Sequence, residues 1–155
     1  MNNKQSQLNK VSDLFNLNEK TAIVTGASSG LGERFARILS KAGAKVILAA
    51  RNMNKLKNLA DELENAIPIQ MDISNKKSIC DVFRFLEKEK IDICVNNAGI
   101  ARATPVFKLD EEEVFEKVIQ TNLIGMWHVI KMTALHMRSN SIKGPIINIA
   151  SIMGR

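Results

Sequence analysis

Five short apolar runs alternate with segments of helical periodicity from residue 20 onward, and this alternation constrains the fold more than any other feature. The runs are rich in Ile, Val and Ala, which suits strands buried on both faces. They occupy residues 21–25, 45–50, 67–70, 91–95 and 145–150. Strands that alternate with helices of ten or more residues form βαβ units with right-handed crossovers. The sequence therefore predicts an α/β fold around a parallel sheet.

The segments between these runs carry apolar residues three and four positions apart, as amphipathic helices do. Gly43 is placed to end the first helix, and the longest helix is predicted over residues 110–137. Residues 1–18 are polar and rich in Asn and Lys, and we interpret them as an N-terminal extension. Residues 19–155 then form a single domain.

Composition excludes several classes of protein. A chain of 155 residues that is 45% hydrophobic can bury a core and is too apolar to be disordered. No apolar stretch approaches the ~20 residues that span a bilayer, and nothing resembles a signal peptide, so we expect a cytoplasmic protein with no membrane partner. The net charge of +6 comes from scattered cations, so no nucleic-acid partner is expected. Cys80 and Cys94 are too far apart for a C-x-x-C site, and we expect neither a disulfide nor a metal.

A run of small residues joins the first strand to the first helix. Gly26 permits a tight turn, Gly30 lets the backbone approach a pyrophosphate, and Gly32 lets the helix pack close to the sheet. The free N–H groups and the dipole at the start of a helix attract phosphate. A flexible linker would not be flanked by a strand and a helix in this order, so the run predicts a nucleotide-binding turn.

The spacing G-x-x-x-G-x-G of this turn resembles the classical short-chain dehydrogenase/reductase family. Three further elements occur in the family's order: N-N-A-G at 96–99, Thr121 and Asn122 in the long helix, and I-N-I-A-S at 147–151. The resemblance runs from residue 20 to residue 155. It implies an NAD(P)-binding, Rossmann-like, doubly wound parallel sheet that is incomplete at its C-terminal end, with about five of the family's seven strands.

The resemblance also implies a set of cofactor-binding residues, and Arg51 indicates which cofactor. NAD-specific sites carry an acidic residue at the end of the second strand, whereas here Ala50 holds that place and Arg51 follows. A guanidinium suits a 2′-phosphate, so we predict NADP(H) rather than NAD, the alternative for Arg51 being a solvated surface charge. The implied set is Gly26, Ser28, Ser29, Gly30, Leu31, Gly32, Arg51, Asp72, Ile73, Asn96, Ala98 and Gly99.

Several members of this set have a structural alternative. By resemblance, Asp72 accepts the adenine amino group with Ile73 beside the ring, but an aspartate here also suits a turn or a helix start. Asn96, Ala98 and Gly99 are implied to support the sheet and the nicotinamide-side ribose, although a plain turn would explain them equally.

By the same resemblance, Ser151 polarises a substrate carbonyl oxygen and Asn122 holds a water of the proton relay through its backbone. A turn or cap role for Ser151 and a helix-kink role for Asn122 stay open. The family's acid/base is a tyrosine in Y-x-x-x-K, about a dozen residues beyond the serine, and this sequence contains no tyrosine. We do not expect His128 or His136 to replace it, because no orienting carboxylate is evident.

The sequence thus predicts an oxidoreductase that moves hydride between NADP(H) and a small-molecule carbonyl or alcohol. Without the tyrosine and lysine, we expect the chain to be C-terminally truncated and inactive alone; full-length family members are expected to be homo-oligomers. Arg102, Thr104 and Phe107 are candidates for the substrate pocket. The alternatives are a non-catalytic nucleotide-binding or interaction fragment and a decayed gene product.

Overall fold

The computed structural model describes residues 15–101 and 111–151, which form one parallel sheet covered by helices on both faces. The strands are β1 (Thr21–Thr25), β2 (Lys45–Ala50), β3 (Ala66–Gln70), β4 (Ile93–Asn96) and β5 (Ile146–Asn148). The helices are α1 (Gly30–Lys41), α2 (Met53–Asp61), α3 (Lys76–Phe85), α4 (Glu111–Ile119) and α5 (Met126–Ser139). A π-helical turn, Gln120–Gly125, joins α4 to α5.

The strand order is β3-β2-β1-β4-β5, and every neighbouring pair is parallel. The chain builds outward from β1 through β2 to β3, and then crosses back to place β4 on the other side of β1. This reversal lies between β1 and β4, which is where doubly wound sheets bind their ligands. The predicted doubly wound α/β fold is confirmed.

The core has two layers, one on each face of the sheet, because alternate side chains of a strand point to opposite faces. In β1, Ala22 and Val24 pack with Ala36 of α1 and Leu56 of α2. Ile23 points the other way, into a layer that includes residues of α3 and α5. The sheet is therefore buried on both faces, as its almost continuous apolar strands indicate.

Several element bounds differ from those that the sequence predicts: the third strand begins one residue earlier, at Ala66, and the fifth is shorter, Ile146–Asn148. The fourth strand spans Ile93–Asn96 rather than residues 91–95, and just before it the Asp92 carboxylate accepts a hydrogen bond from the backbone N–H of Thr21 (2.9 Å) at the start of β1. The long helix does not run unbroken, since the π-helical turn interrupts it at Gln120–Gly125.

Candidate functional site

A cleft of about 720 Å³ opens at the carboxyl ends of β1, β2, β3 and β4. Its volume is in the range of small-molecule and cofactor sites. The predicted residues that line it are Gly26, Ser28, Ser29, Arg51, Asp72, Ile73, Ala98 and Gly99. Other described lining residues are Ala50, Asn52, Met53, Asn54, Met71, Asn97, Ile100 and Thr121. The fold therefore brings together residues from four separate strand ends.

The glycine-rich turn has the geometry that its sequence predicts. Gly26 has a φ of +68°, a conformation that side chains disfavour, and a Cβ there would lie 2.9 Å from the Cα of Ala98. A Cβ on Gly32 would lie 2.2 Å from the carbonyl oxygen of Gly26, so the helix packs directly on the turn. At Gly30, by contrast, a Cβ would meet open space. The glycines thus leave room beside the start of α1.

The start of α1 differs from the starts of α2 and α3. Asn52 and Asn75 cap those two helices by accepting hydrogen bonds from backbone N–H groups. The side chain of Ser29 makes no such bond at the start of α1. First-turn N–H groups that no side chain satisfies are suited to a phosphate, which makes this end of the cleft fit a pyrophosphate.

Thr25 and Asn97 fasten the loop after β1 to the loop after β4. The Thr25 hydroxyl oxygen accepts hydrogen bonds from the backbone N–H groups of Asn97 (3.0 Å) and Ala98 (2.9 Å). The side-chain amide of Asn97 in turn donates to the carbonyl oxygen of Thr25 (3.2 Å). Two loops that are 72 residues apart in sequence therefore form one continuous floor of the cleft.

Arg51 and Asp72 lie at the β2 and β3 end of the cleft. Arg51 is exposed and follows β2 directly, while its neighbour Ala50 is buried. One oxygen of the Asp72 carboxylate accepts from the N–H of Ser74 (2.9 Å) and from its hydroxyl (2.7 Å). Asp72 thus serves the local turn, as its structural alternative suggests, and it also lines the cleft.

The other end of the cleft is formed by the loop after β4 and by the π-helical turn. The Asn122 side chain accepts from the N–H of Ile100 (2.8 Å) and donates to the carbonyl oxygen of Ile100 (2.8 Å). Asn96 is buried, and its amide donates to the Asn148 side-chain oxygen (3.0 Å) on β5. In the structure, Asn122 therefore holds the loop that carries Ala98 and Gly99.

Several sequence-predicted residues lie outside the lining of the cleft. They are Gly30, Leu31, Gly32, Asn96, Asn122 and Ser151. Ser151 is exposed beyond the end of β5, and Leu31 is exposed on α1. The substrate-pocket candidates Arg102, Thr104 and Phe107 fall outside the described residues.

The histidines and cysteines lie away from the cleft. His136 of α5 contacts the carbonyl oxygen of Glu89 through Nε2 (2.7 Å), and His128 packs edge-on against Trp127. Burial raises the pKa of the Cys94 thiol to about 11, so this group stays protonated at neutral pH. Within residues 15–101 and 111–151, no three His, Cys, Asp or Glu side chains are grouped to hold a metal ion, and no helix is long and apolar enough to cross a membrane.

The sequence reasoning missed three residues that shape the site. Thr25 and Asn97 act through contacts between distant loops, and Gln70 donates from Nε2 to the carbonyl oxygen of Arg51 (3.1 Å). Two of them are marked in the sequence: Thr25 is the last residue of a buried strand, and Asn97 is the second amide of N-N-A-G. The sequence around Gln70 gives no such indication, because its hydrogen-bond partner, Arg51, lies at the end of the neighbouring strand.

Comparison with known proteins identifies the family of the chain. The family model described as short chain dehydrogenase matches residues 20–155. A farnesol dehydrogenase of Aedes aegypti is 35% identical in an alignment of 142 positions that covers 87% of this chain and 58% of that protein. An NADP-dependent 3-hydroxy acid dehydrogenase of Schizosaccharomyces pombe is 38% identical in an alignment of 148 positions that covers 90% of this chain and 56% of that protein.

Solved structures show the same fold. A short-chain type dehydrogenase/reductase from Mycobacterium marinum superposes with a TM-score of 0.86 at 35% identity, over 93% of this chain and 60% of that one. The chain thus spans less than two thirds of the length of the relatives it matches. On the family match and on the doubly wound sheet with its glycine-rich turn, the chain belongs to the short-chain dehydrogenase/reductase family of oxidoreductases.

Proposed function

We propose that the cleft binds NADP(H) and that the protein of which these residues are part transfers hydride between this cofactor and a carbonyl or alcohol. The preference for NADP(H) over NAD(H) is argued from the position of Arg51, which lines the cleft at the end of β2 beside the uncharged Ala50. Asp72 is the one acidic residue among the described lining residues, and it lies after β3. A guanidinium without a competing carboxylate at this place favours a 2′-phosphate over a free 2′-hydroxyl.

Each part of the cleft then has a role in holding the cofactor. The turn at Gly26 and the start of α1 would hold the pyrophosphate, with Ser28 and Ser29 beside it. Asp72 and Ile73 would flank the adenine, and Ala98 and Gly99 the nicotinamide-side ribose. The bound cofactor supplies the hydride chemistry, and the protein supplies position and proton transfer.

The proposed catalytic residues are Ser151, which would polarise the carbonyl oxygen of the substrate, and Asn122. The double hydrogen bond between Asn122 and Ile100 supports a positioning role for Asn122 beside the nicotinamide end of the cleft. The 155 residues contain no tyrosine, so the family's acid/base is not among them. We therefore expect this chain alone to bind the cofactor without turning over substrate.

Cofactor binding tests this proposal directly. NADPH and NADH are titrated into the 155-residue chain, and the dissociation constants are measured by nicotinamide fluorescence. We expect tighter binding of NADPH, and we expect Arg51→Ala to weaken NADPH roughly 10- to 100-fold while changing NADH little, since a hydrogen bond between charged groups contributes about 1.5–3 kcal/mol.

Arg84→Ala is the matched control, because Arg84 is an exposed arginine of α3 that pairs with Asp81. It should leave both dissociation constants unchanged. Equal binding of NADPH and NADH by the unmodified chain would contradict the cofactor choice.

The main alternative is a nucleotide-binding module without catalysis. Turnover distinguishes the two functions. The relatives are named for farnesol and for 3-hydroxy acids, so an isoprenoid alcohol and a 3-hydroxy acid, with the corresponding carbonyl compounds, form the first panel. NADP(H) turnover by the protein isolated from its source cells supports the oxidoreductase, and tight NADPH binding with no turnover on any panel supports the module.

A further inference from the structure

We infer that Gln70 is a positioning residue for cofactor choice, acting through Arg51; the inference rests on the proposed NADP(H) function. Gln70 is the last residue of β3, and its Cα pairs in register with Ala50, the last residue of β2. Its side-chain amide reaches past this pair and donates to the carbonyl oxygen of Arg51 (3.1 Å).

This bond is one of several that fix the backbone around Arg51. The carbonyl oxygen of Ala50 accepts from the N–H of Met71 (3.0 Å), which continues the ladder between β2 and β3. On the other side, the Asn52 side chain accepts from the N–H of Lys55 (3.1 Å) and so anchors the start of α2. Gln70 bonds to the carbonyl group of Arg51, which lies between these two hydrogen bonds and next to the Cα atom that carries the guanidinium side chain.

Gln70 acts through Arg51 rather than on a ligand in the cleft. It lies outside the cleft lining and instead borders a groove between β3 and α3, together with Ile69 and Phe85. Arg51 is long, flexible and exposed, so binding a phosphate requires it to lose side-chain freedom. The backbone that carries Arg51 must be ordered as well, and a backbone that Gln70 already fixes removes that part of the entropic cost, which favours ligands that use the guanidinium, those with a 2′-phosphate.

The test is a double-mutant cycle with Gln70→Met, which keeps the length of the side chain and removes the donor. NADPH and NADH dissociation constants are measured for the unmodified chain, Q70M, R51A and Q70M/R51A. We expect Q70M to weaken NADPH roughly three- to ten-fold, the range for one lost hydrogen bond, and to leave NADH unchanged. In the R51A background, Q70M should have no further effect on NADPH.

Gln120→Met is the matched control, because Gln120 also donates from Nε2 to a backbone carbonyl, that of Ser74 (3.0 Å). It removes the same kind of bond from a loop that does not carry Arg51, so the ratio of the NADPH and NADH constants should stay at the unmodified value. Gln70→Ala is a second variant, and thermal unfolding of every variant shows that the comparison is made on folded protein.

Each outcome decides between the proposals. The inference is supported if Q70M and Q70A each reduce the preference for NADPH over NADH, and if Q70M changes neither dissociation constant further once Arg51 has been replaced by alanine. If Q70M weakens both cofactors equally, weakens neither, or acts as strongly without Arg51, the inference is overturned while the NADP(H) proposal stands. If the unmodified chain shows no preference for NADPH, the proposed cofactor choice fails and this inference fails with it.

Discussion

At the scale of single residues, the Thr25 hydroxyl joins the loop after β1 to the loop after β4. It is 1% exposed, and it accepts two backbone hydrogen bonds from the loop after β4. Both donors are partly buried, so without the hydroxyl they would lose their acceptor at a place that water reaches only in part. This one oxygen sets the distance between the glycine-rich turn and the wall formed by Asn97 and Ala98.

Thr25→Val tests this connection, since valine has the same shape and no hydroxyl. Leaving two partly buried donors without an acceptor should lower the free energy of unfolding by about 1–3 kcal/mol, measured by urea denaturation. Thr133→Val is the control: Thr133 is equally buried, but its hydroxyl makes only a weak contact with the Cys94 thiol (3.6 Å). A loss at Thr25 no larger than that at Thr133 would show that the two backbone donors find other acceptors.

The residues of the site were predictable where local backbone geometry requires a particular type. Gly26 and Gly32 could be found from the sequence because a turn with positive φ and a helix packed on that turn both exclude side chains. Gln70 could not, because its role depends on the register between β2 and β3. Thr25 lies between the two cases, because its place at the end of a buried strand is visible in the sequence but its donors lie 72 and 73 residues away.

At the scale of secondary structure, the π-helical turn Gln120–Gly125 connects both ends of the cleft. Asn122 holds the loop after β4 through Ile100, while Gln120 donates to the carbonyl oxygen of Ser74 on the loop after β3. Helical periodicity predicted this segment as part of one long α-helix. The interruption was not predictable, because it accompanies a close approach between distant parts of the chain; π-turns of this kind are frequent at functional sites.

Gly125→Ala tests that close approach. A Cβ at Gly125 would lie 2.3 Å from the carbonyl oxygen of Ile73, so we expect the variant to be less stable by about 1–3 kcal/mol. Helix propensity alone predicts the opposite sign, a gain of about 1 kcal/mol from glycine to alanine. Ala134→Gly on the exposed face of α5 measures the propensity effect by itself, and a stabilised Gly125→Ala would show that the turn does not pack on Ile73.

At the scale of the whole molecule, the π-helical turn, α5 and β5 expose large apolar side chains to water. Leu123, Trp127 and Leu135 are about half exposed along the π-helical turn and α5, and Ile147 of β5 is 45% exposed. Among the described strands, β5 pairs only with β4. Apolar surface that stays in water contributes nothing to the free energy of folding. We therefore expect the 155-residue chain to unfold below the 45–65 °C that is usual for domains of mesophilic proteins.

Thermal unfolding with and without cofactor measures both the low stability and its dependence on binding. A ligand that binds only the folded chain adds about 2.7 kcal/mol at a concentration 100 times its dissociation constant. For a chain of this size that raises the midpoint by roughly 5–11 °C. The expected order of midpoints at equal concentrations is NADPH above NADH above no ligand, and R51A should abolish the difference between the two cofactors. A high midpoint that neither ligand changes would contradict this prediction.

The strand order also has a consequence for the time at which the site appears during folding. Strands β1, β2 and β3 are neighbours in sequence and can pair early through local contacts, but β4 must return across the sheet to reach β1. The loop that bonds Thr25 follows β4, so one wall of the cleft is missing until that return is complete. The ability to bind nucleotide should therefore develop late in refolding, with the docking of β4, and it can serve as a kinetic reporter of that step.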